Sequence, residues 1–195
     1  MYHDVYEELY RILRNDLLFG LSDNQLGPLK ESSTIVDDPQ CWQLGYGFLA
    51  LEHKDGCGWQ LIQTILHRDN LRQKLFYINA EGDPVFKPSG GEYYLQQTER
   101  FKELVYFLFH QIPGMPKHGA EEIQTKVVDT EFQARNLYYL FGKLACVGFY
   151  NKRSHNTGTD KVALHFMFLA LEKVIWRYYL SVTGLEAWIQ SILLF

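Results

Sequence analysis

Three basic residues that lie close together, Lys152, Arg153 and His155, form the most evident candidate site in the sequence. They follow an apolar stretch and open a polar segment, so they could contact nucleic-acid phosphates at a hairpin tip, helped by Lys143 and Lys161. Charged side chains are also expected in a solvated turn. From these residues alone, the solvated turn is the favoured interpretation.

A second polar group lies earlier, in a segment rich in proline and glycine. His118 and Glu121 are candidates for a relic phosphate-binding site, and the neighbouring Lys117 is a candidate DNA contact. Acidic residues such as Glu121 and Glu122 are also favourable in the first turn of a helix, because the helix dipole attracts them. Without further information, this structural interpretation is preferred.

Cysteine and histidine residues in the first third of the chain raise the question of zinc. Structural zinc sites usually draw their ligands from close pairs, and among Cys41, His53, Cys57 and His67 only the middle two come near that spacing. We therefore predict no metal site.

Three widely spaced cysteines without a CxxC pair indicate a reducing compartment. No glycine-rich phosphate loop, nucleophile elbow or paired-carboxylate pattern is present, so neither a cofactor nor a small-molecule substrate is expected.

Composition favours a packed globule without a general affinity for nucleic acid. The 195 residues are 47% hydrophobic and 15% aromatic, which argues against disorder. The formal net charge of -4 excludes attraction of the whole protein to nucleic acid. Any DNA binding must therefore come from a local basic patch.

The sequence carries no targeting or membrane segment that we can identify. The stretch Met1–Tyr10 contains acids and no apolar core, so a signal peptide is not expected. The apolar stretch Val162–Leu180 is interrupted by Glu172, Lys173 and Arg177, so it is not predicted to span a membrane. The expectation is an intracellular protein without membrane contact.

Hydrophobic periodicity predicts a mainly α fold with a small antiparallel β-sheet, an α+β class. Asn136–Tyr150 is typical of a hairpin-like pair of apolar strands, and Val162–Phe166 of a further strand. Gly184 is predicted to end the helix that precedes it. The predicted helices are Tyr2–Leu18, Trp59–Leu66, Phe101–His110, Leu185–Phe195 and one that follows the strand Val162–Phe166 as far as Leu180.

Turn signals suggest how the chain is divided. Asp37-Asp-Pro39 marks a turn, and a loop-rich link at Glu81–Gly91 predicts a mostly helical N-terminal region of residues 1–95 followed by a second region of residues 96–195. The last predicted helix, Leu185–Phe195, is apolar and ends without a cap. Such a helix needs another surface to cover it, so we expect it to pair with another protein chain.

Two stretches carry a resemblance to a known family. Pro113-Gly-Met-Pro-Lys-His-Gly-Ala-Glu121 is similar to the Gly-Gln-Pro-Ala-Arg-Gly-Thr-Glu motif of a region found in fungal telomere-linked helicase-like proteins and related mobile-element products. Phe149-Tyr-Asn-Lys-Arg153 and Leu164-His-Phe-Met-Phe168 resemble the rest of that region. The region in turn resembles the catalytic core of tyrosine recombinases, which cut DNA through a tyrosyl-phosphodiester. The resemblance is clearest over Glu99–Leu180.

The resemblance implies a chain that has lost the family's activity. In the family, an arginine three residues before a glutamate clamps the scissile phosphate; here His118 stands in that place ahead of Glu121, and neutral histidine cannot make the bidentate contact. The hairpin lysine that acts as a general acid matches Lys152. The later His-x-x-Arg pair and the nucleophilic tyrosine would lie beyond Phe195. The implied protein is therefore truncated, tyrosine-recombinase-like and catalytically inactive.

The leading hypothesis is weak, salt-sensitive binding of duplex DNA, in the nucleus if the resemblance holds. The alternative is a non-enzymatic protein-interaction module or a gene fragment that uses its apolar C-terminal helix. The candidate DNA contacts are Lys117, Lys143, Lys152, Arg153, His155 and Lys161.

Overall fold

The part of the chain that the structure describes is mostly helical, with two small antiparallel sheets where one was predicted. The computed structural model describes residues 2–26, 37–48, 57–111, 129–150 and 161–194. The chain forms two compact units. Unit 1 comprises Met1–Leu29, Asp55–Leu108 and Val174–Phe195, and unit 2 comprises Lys30–Lys54 and Phe109–Lys173.

The described helices and strands follow one another in this order. The helices are α1 (Tyr2–Arg11), α2 (Asp23–Leu26), α3 (Cys57–His67), α4 (Asp69–Leu75), α5 (Pro88–Gln111), α6 (Leu169–Arg177) and α7 (Thr183–Leu193). Two π-helical stretches, Ile12–Leu17 and Tyr178–Val182, continue α1 and α6. The strands are β1 (Phe76–Ile78), β2 (Pro84–Phe86), β3 (Leu137–Leu140), β4 (Lys143–Tyr150) and β5 (Lys161–Phe166). Among the described helices, none has the length and apolar character needed to cross a membrane.

Unit 1 has a helical core. Helix α3 packs against the π-helical stretch Tyr178–Val182 and against α7. Its buried side chains Leu61 and Ile65 lie four residues apart, so they share one face of the helix. The predicted first helix is confirmed, and it ends where Phe19 and Gly20 take positive φ angles.

The predicted loop-rich link holds regular structure. Strand β2 pairs with β1, with Phe76 opposite Phe86, and α5 begins directly afterwards at Pro88. Proline suits the first helical position, because its fixed φ is helical and its missing N–H would have had no partner there. The predicted division between residues 95 and 96 falls inside α5. Whether either region folds alone stays a prediction.

Unit 2 is built around a three-stranded antiparallel sheet of order β3-β4-β5, which confirms the predicted hairpin and the predicted following strand. The two-residue turn between β3 and β4 has φ of 53° at Phe141 and 73° at Gly142. Positive φ at both positions matches the right-handed twist of the paired strands. One face of the sheet buries Leu137, Tyr139 and Leu144.

The C-terminal helix differs from its prediction in two ways. Gly184 does not end a helix but lies near the start of α7, because the preceding helix continues through a π-helical stretch. The apolar face of α7 is also covered within unit 1, where Leu185 and Ile189 are buried and the Trp188 ring lies 5.9 Å from that of Phe76. The helix therefore does not need a second chain to cover this face.

Candidate nucleic-acid interface

The basic segment connects two paired strands. Tyr150, the last residue of β4, pairs with Lys161, the first residue of β5. The intervening residues 151–160, which carry Lys152, Arg153 and His155, therefore join two strands that are hydrogen-bonded up to this end. These three candidate contacts themselves lie outside the described residues, whereas the backbone of Lys161 is paired with that of Tyr150.

Lys143 lies at the other end of the sheet. It is an exposed residue that begins β4 and pairs with Leu140, next to the Phe141–Gly142 turn. Seven residue steps along a strand, at roughly 3.4 Å each, separate it from Tyr150 by about 24 Å. That is more than twice the Debye length of about 10 Å at 0.1 M salt. The sequence had grouped Lys143 with Lys152, which lies outside the described residues, so their grouping in one contact stays a prediction.

The proline- and glycine-rich segment also falls outside the described residues. Lys117, His118 and Glu121 belong to residues 112–128, between the end of α5 and Asp129. Their grouping as a relic phosphate site stays a prediction.

A buried ion cluster lies in unit 2, where the sequence had indicated only a turn. The Arg135 guanidinium donates from Nη1 to Asp129 Oδ2 at 2.8 Å and from Nη2 to Asp37 Oδ1 at 2.8 Å. It also donates to the carbonyl oxygens of Asp38 and Cys41, at 2.8 and 3.1 Å. Four acceptors therefore surround one planar cation, and such a fork is a geometry that lysine cannot reproduce.

Two aromatic rings enclose the same guanidinium. Its central carbon lies 4.5 Å from the Tyr46 ring centroid and 4.7 Å from that of Tyr138. The side chain of Arg135 is only 1% exposed and those of its carboxylate partners, Asp37 and Asp129, are 0% and 1% exposed. Cation–π attraction is strengthened when the cation is removed from water, as it is here.

Burial dominates the electrostatics of this cluster. It raises the pKa of Asp37, although the Tyr139 amide and the Arg135 guanidinium act in the opposite direction. Burial likewise raises the pKa of Tyr138. The attraction to Arg135 does not fully compensate Asp37 for the loss of water, and the neighbouring Asp38 carboxylate raises the pKa of Asp37 further.

The cluster connects two loops to the sheet. Asp37 Oδ2 accepts a hydrogen bond from the backbone N–H of Tyr139 in β3, at 2.8 Å. The backbone of Asp129 pairs with the other loop, since its carbonyl accepts from Gly45 N–H and its N–H donates to the Tyr46 carbonyl, both at 2.8 Å. Because the charged groups are buried and engaged with one another, we assign them a structural role: they hold residues 37–46 against the sheet.

These loops also expose large apolar side chains. Trp42 and Leu44 lie on the first loop and Phe132 on the second, and all three are mostly exposed to solvent. The loops that the cluster fixes therefore present an apolar surface. This arrangement has no signal in the sequence, because Arg135 lies in no motif and is 98 residues away from Asp37.

The residues considered for zinc are not assembled by the described structure. His67 has its Nδ1 atom 2.7 Å from the Gln63 carbonyl oxygen of its own helix, and Cys41 is a partly exposed free thiol in unit 2. Within the described ranges, no three histidine, cysteine or acidic residues are placed to hold a metal ion. His53 and the side chain of Cys57 lie outside those ranges.

No protein-family model matches this chain. No solved structure matches it either.

Proposed function

We propose that this protein is a non-catalytic, tyrosine-recombinase-like module that binds duplex DNA through the connection between β4 and β5. The contacts are the side chains of Lys152 and Arg153, with Lys161 at the base of the same connection. The resemblance to telomere-linked and mobile-element proteins makes the nucleus the proposed place of action.

One observation carries the proposal. The antiparallel pairing of Tyr150 with Lys161 brings the two ends of a ten-residue basic connection together at one end of the sheet. Lys152, Arg153 and Lys161 supply three positive charges there, against the single carboxylate of Asp160. A local excess of positive charge on an otherwise acidic chain is the arrangement that local phosphate binding requires.

The buried cluster holds the end of the sheet that lies opposite this connection. Asp37 anchors β3 through the Tyr139 N–H, and β3 pairs with β4 from Leu137 to Leu140. On the other side of that hairpin, Glu172 accepts a hydrogen bond from the Leu144 N–H at 3.2 Å.

The test is binding of a fluorescently labelled duplex, followed by anisotropy at several salt concentrations. We expect binding that weakens steeply with salt, because neutralised phosphates release counterions. In the double variant Lys152→Ala/Arg153→Ala, affinity should fall, and the slope of log K against log salt concentration should be flatter by about 2.

Lys143→Ala is the matched control, since it removes an exposed lysine from the opposite end of β4. It should change affinity much less than the double variant does. Equal binding by wild-type protein and the double variant would refute the proposal. So would the absence of binding at low salt.

A second candidate function is protein binding, and the exposed loops of unit 2 favour it over the C-terminal helix. Trp42 and Phe132 are large aromatic side chains in contact with water, and exposed aromatic residues are the commonest anchors of protein interfaces. We expect Trp42→Ala/Phe132→Ala to abolish concentration-dependent association of the chain in analytical ultracentrifugation. A wild-type chain that stays monomeric at all concentrations would exclude self-association.

A further inference from the structure

Unit 1 contains a cavity of about 400 Å³ on its surface, and none of its lining residues belongs to the proposed DNA contact. Its volume lies within the range of roughly 300–1,000 Å³ that is typical of small-molecule sites. The residues that matter for its chemistry are two lysines, one carboxylate and three aromatic side chains. They are Lys74, Lys87, Asp16, Phe19, Tyr93 and Tyr94.

The two lysines are not neutralised within the described structure. Lys74 lies at the end of α4 and has its Nζ atom 5.1 Å from the Phe19 ring centroid. Lys87 donates one hydrogen bond from Nζ to the Gln73 carbonyl oxygen at 2.6 Å, which leaves two N–H groups for a ligand. Among the described residues, neither lysine has a carboxylate within ion-pair distance.

The carboxylate in the cavity wall is already paired. Asp16 Oδ2 lies 3.2 Å from Nη1 of Arg11, and Asp16 Oδ1 accepts a weak hydrogen bond from the Tyr93 hydroxyl at 3.3 Å. Arg11 therefore offsets the charge of Asp16. The uncompensated charge at the cavity is that of the two ammonium groups, which favours an anionic ligand.

Three aromatic side chains also line the cavity. Phe19 stacks on Tyr94, with ring centroids 5.6 Å apart and an angle of 9° between the ring planes. Phe19 has a φ of 55°, an uncommon backbone conformation for a bulky residue, and this conformation places it at the cavity. Beside it, Tyr93 is half exposed. An apolar or planar group of a ligand could pack on these rings.

Close packing of two backbones keeps the lysines together. A Cβ atom on Gly90 would lie 2.4 Å from the Lys74 carbonyl oxygen, so only glycine allows the first turn of α5 to approach α4 this closely. The Lys87 N–H donates to the Leu75 carbonyl at 2.7 Å, which joins the same two segments. The N–H groups of Gly90 and Gly91 are both bonded to the Lys87 carbonyl, so anion binding must rest on the ammonium groups.

From this arrangement we infer that the cavity binds a phosphate monoester, with the phosphate between Lys74 and Lys87 and the organic part against Phe19 and Tyr93. A phosphate monoester carries about 1.5 to 2 negative charges at neutral pH, which matches two ammonium groups better than a carboxylate does. Two kinds of ligand carry a phosphate monoester group. One is a free mononucleotide or sugar phosphate, and the other is the 5′-phosphate end of a nucleic acid.

Isothermal titration calorimetry with adenosine monophosphate, adenosine and inorganic phosphate tests the inference. We expect the monophosphate to bind, adenosine to bind at least tenfold more weakly, and inorganic phosphate to lie between them. In Lys74→Met/Lys87→Met, affinity for the monophosphate should fall at least tenfold. Lys143→Met is the control with the same chemical change in unit 2, and it should bind as the wild type does.

Two further measurements keep the inference falsifiable. If the double variant has a lower melting temperature than the wild type, Lys74→Gln alone replaces it, because this change leaves the bond between Lys87 and Gln73 intact. Equal affinity of the wild type and the folded variant for the monophosphate would overturn the inference, as would equal binding of adenosine. Single-stranded oligonucleotides with and without a 5′-phosphate identify the source: tighter binding of the phosphorylated one indicates a nucleic-acid end, and equal binding indicates the free small molecule.

Discussion

Each unit buries a charged cluster, and the two clusters differ in how completely they are removed from water. In unit 2, Arg135 and its two aspartate partners are at most 1% exposed. In unit 1, Lys102 donates to Glu186 Oε1 at 2.6 Å, but the side chains are 41% and 10% exposed. The first cluster is almost completely removed from water, whereas the second keeps its cation in partial contact with water.

The difference also extends to what each cluster holds in place. The unit 2 cluster joins loops to a sheet, in a region where the chain is irregular over 129–136 and most of 37–48. The unit 1 cluster lies on α5 and α7, two helices that bury apolar side chains of their own, among them Leu108 and Ile189. Apolar packing already stabilises these helices, so we expect unit 1 to depend less on its charges than unit 2 does.

The largest effect should come from removing the unit 2 cation. Arg135→Met leaves two buried carboxylates without a positive charge, which should lower the free energy of unfolding by about 3–5 kcal/mol. Urea denaturation followed by circular dichroism measures it. Arg135→Lys should restore little of the loss, because an ammonium cannot contact both carboxylates and two carbonyls in this geometry. If Arg135→Met lowers the free energy of unfolding by less than about 1 kcal/mol, unit 2 does not depend more on its charges than unit 1 does.

A smaller effect is expected from the buried tyrosine of the unit 1 cluster. The Tyr178 hydroxyl donates to Glu186 Oε2 at 2.6 Å. When this hydroxyl is removed, Glu186 still accepts hydrogen bonds from Lys102 and Gln190. Tyr178→Phe should therefore cost about 1.5 kcal/mol, near the lower limit for hydrogen bonds to charged groups.

The same variant has a pH signature. Burial, followed by the hydrogen bond to Glu186, raises the pKa of Tyr178 well above its ordinary value. Because its pKa is raised in the folded state, the protonated Tyr178 hydroxyl stabilises the fold. This contribution to the free energy of unfolding is present in full below about pH 10, the pKa of tyrosine in the unfolded chain, and decreases as the pH rises above it. Melting temperatures of Tyr178→Phe should therefore decline less steeply than those of the wild type between pH 9.5 and 11. Parallel declines would contradict the assignment.

Asp37→Asn tests how much one carboxylate of the unit 2 cluster contributes to stability. Asparagine keeps one acceptor oxygen and removes the excess negative charge of the unit 2 cluster, where burial already raises the pKa of Asp37. We expect a loss of about 1 kcal/mol, the cost of one hydrogen bond, in the same urea experiment. A loss as large as that of Arg135→Met would mean that both carboxylates are needed for the cluster to form.

The smallest effect should be that of Lys102→Met. Burial lowers the pKa of Lys102, but hydrogen bonds to Glu186 and Glu99 outweigh it and raise the pKa above its ordinary value. Because this ammonium is partly solvated, its loss should cost about 0.2–1 kcal/mol, less at high salt. Urea denaturation at low and high salt measures it. A cost comparable to that of Arg135→Met would show that exposure does not separate the two clusters.

Much of the secondary structure was predictable because it follows from the local periodicity of apolar residues. The strands Leu137–Leu140 and Lys143–Tyr150, the strand Lys161–Phe166 and helix α3 were all indicated by apolar runs and turn residues. The short pair β1 and β2 was missed, since three-residue strands around Gly82 have too few residues to show an alternation. Gly184 was misread because glycine more often follows a helix than lies in its first turn.

The candidate sites were less predictable than the fold. The basic connection was visible because its residues are neighbours in sequence. Lys143 was grouped with it, although the length of β4 separates Lys143 from the strand end at Tyr150 where the connection begins. Lys74 and Lys87 were missed for the opposite reason: thirteen positions apart in sequence, they line one cavity because Gly90 lets two helices meet.

By itself, the sequence determined the mainly helical fold with antiparallel strands, the acidic net charge and the location of its basic residues. These follow from composition and short-range pattern, since the side-chain period of a helix or strand is a local property. Only the tertiary structure decided which charges are buried and which side chains meet. Arg135 finds Asp37 across 98 residues. Contacts of this kind depend on how the elements pack and leave no periodic trace in the sequence.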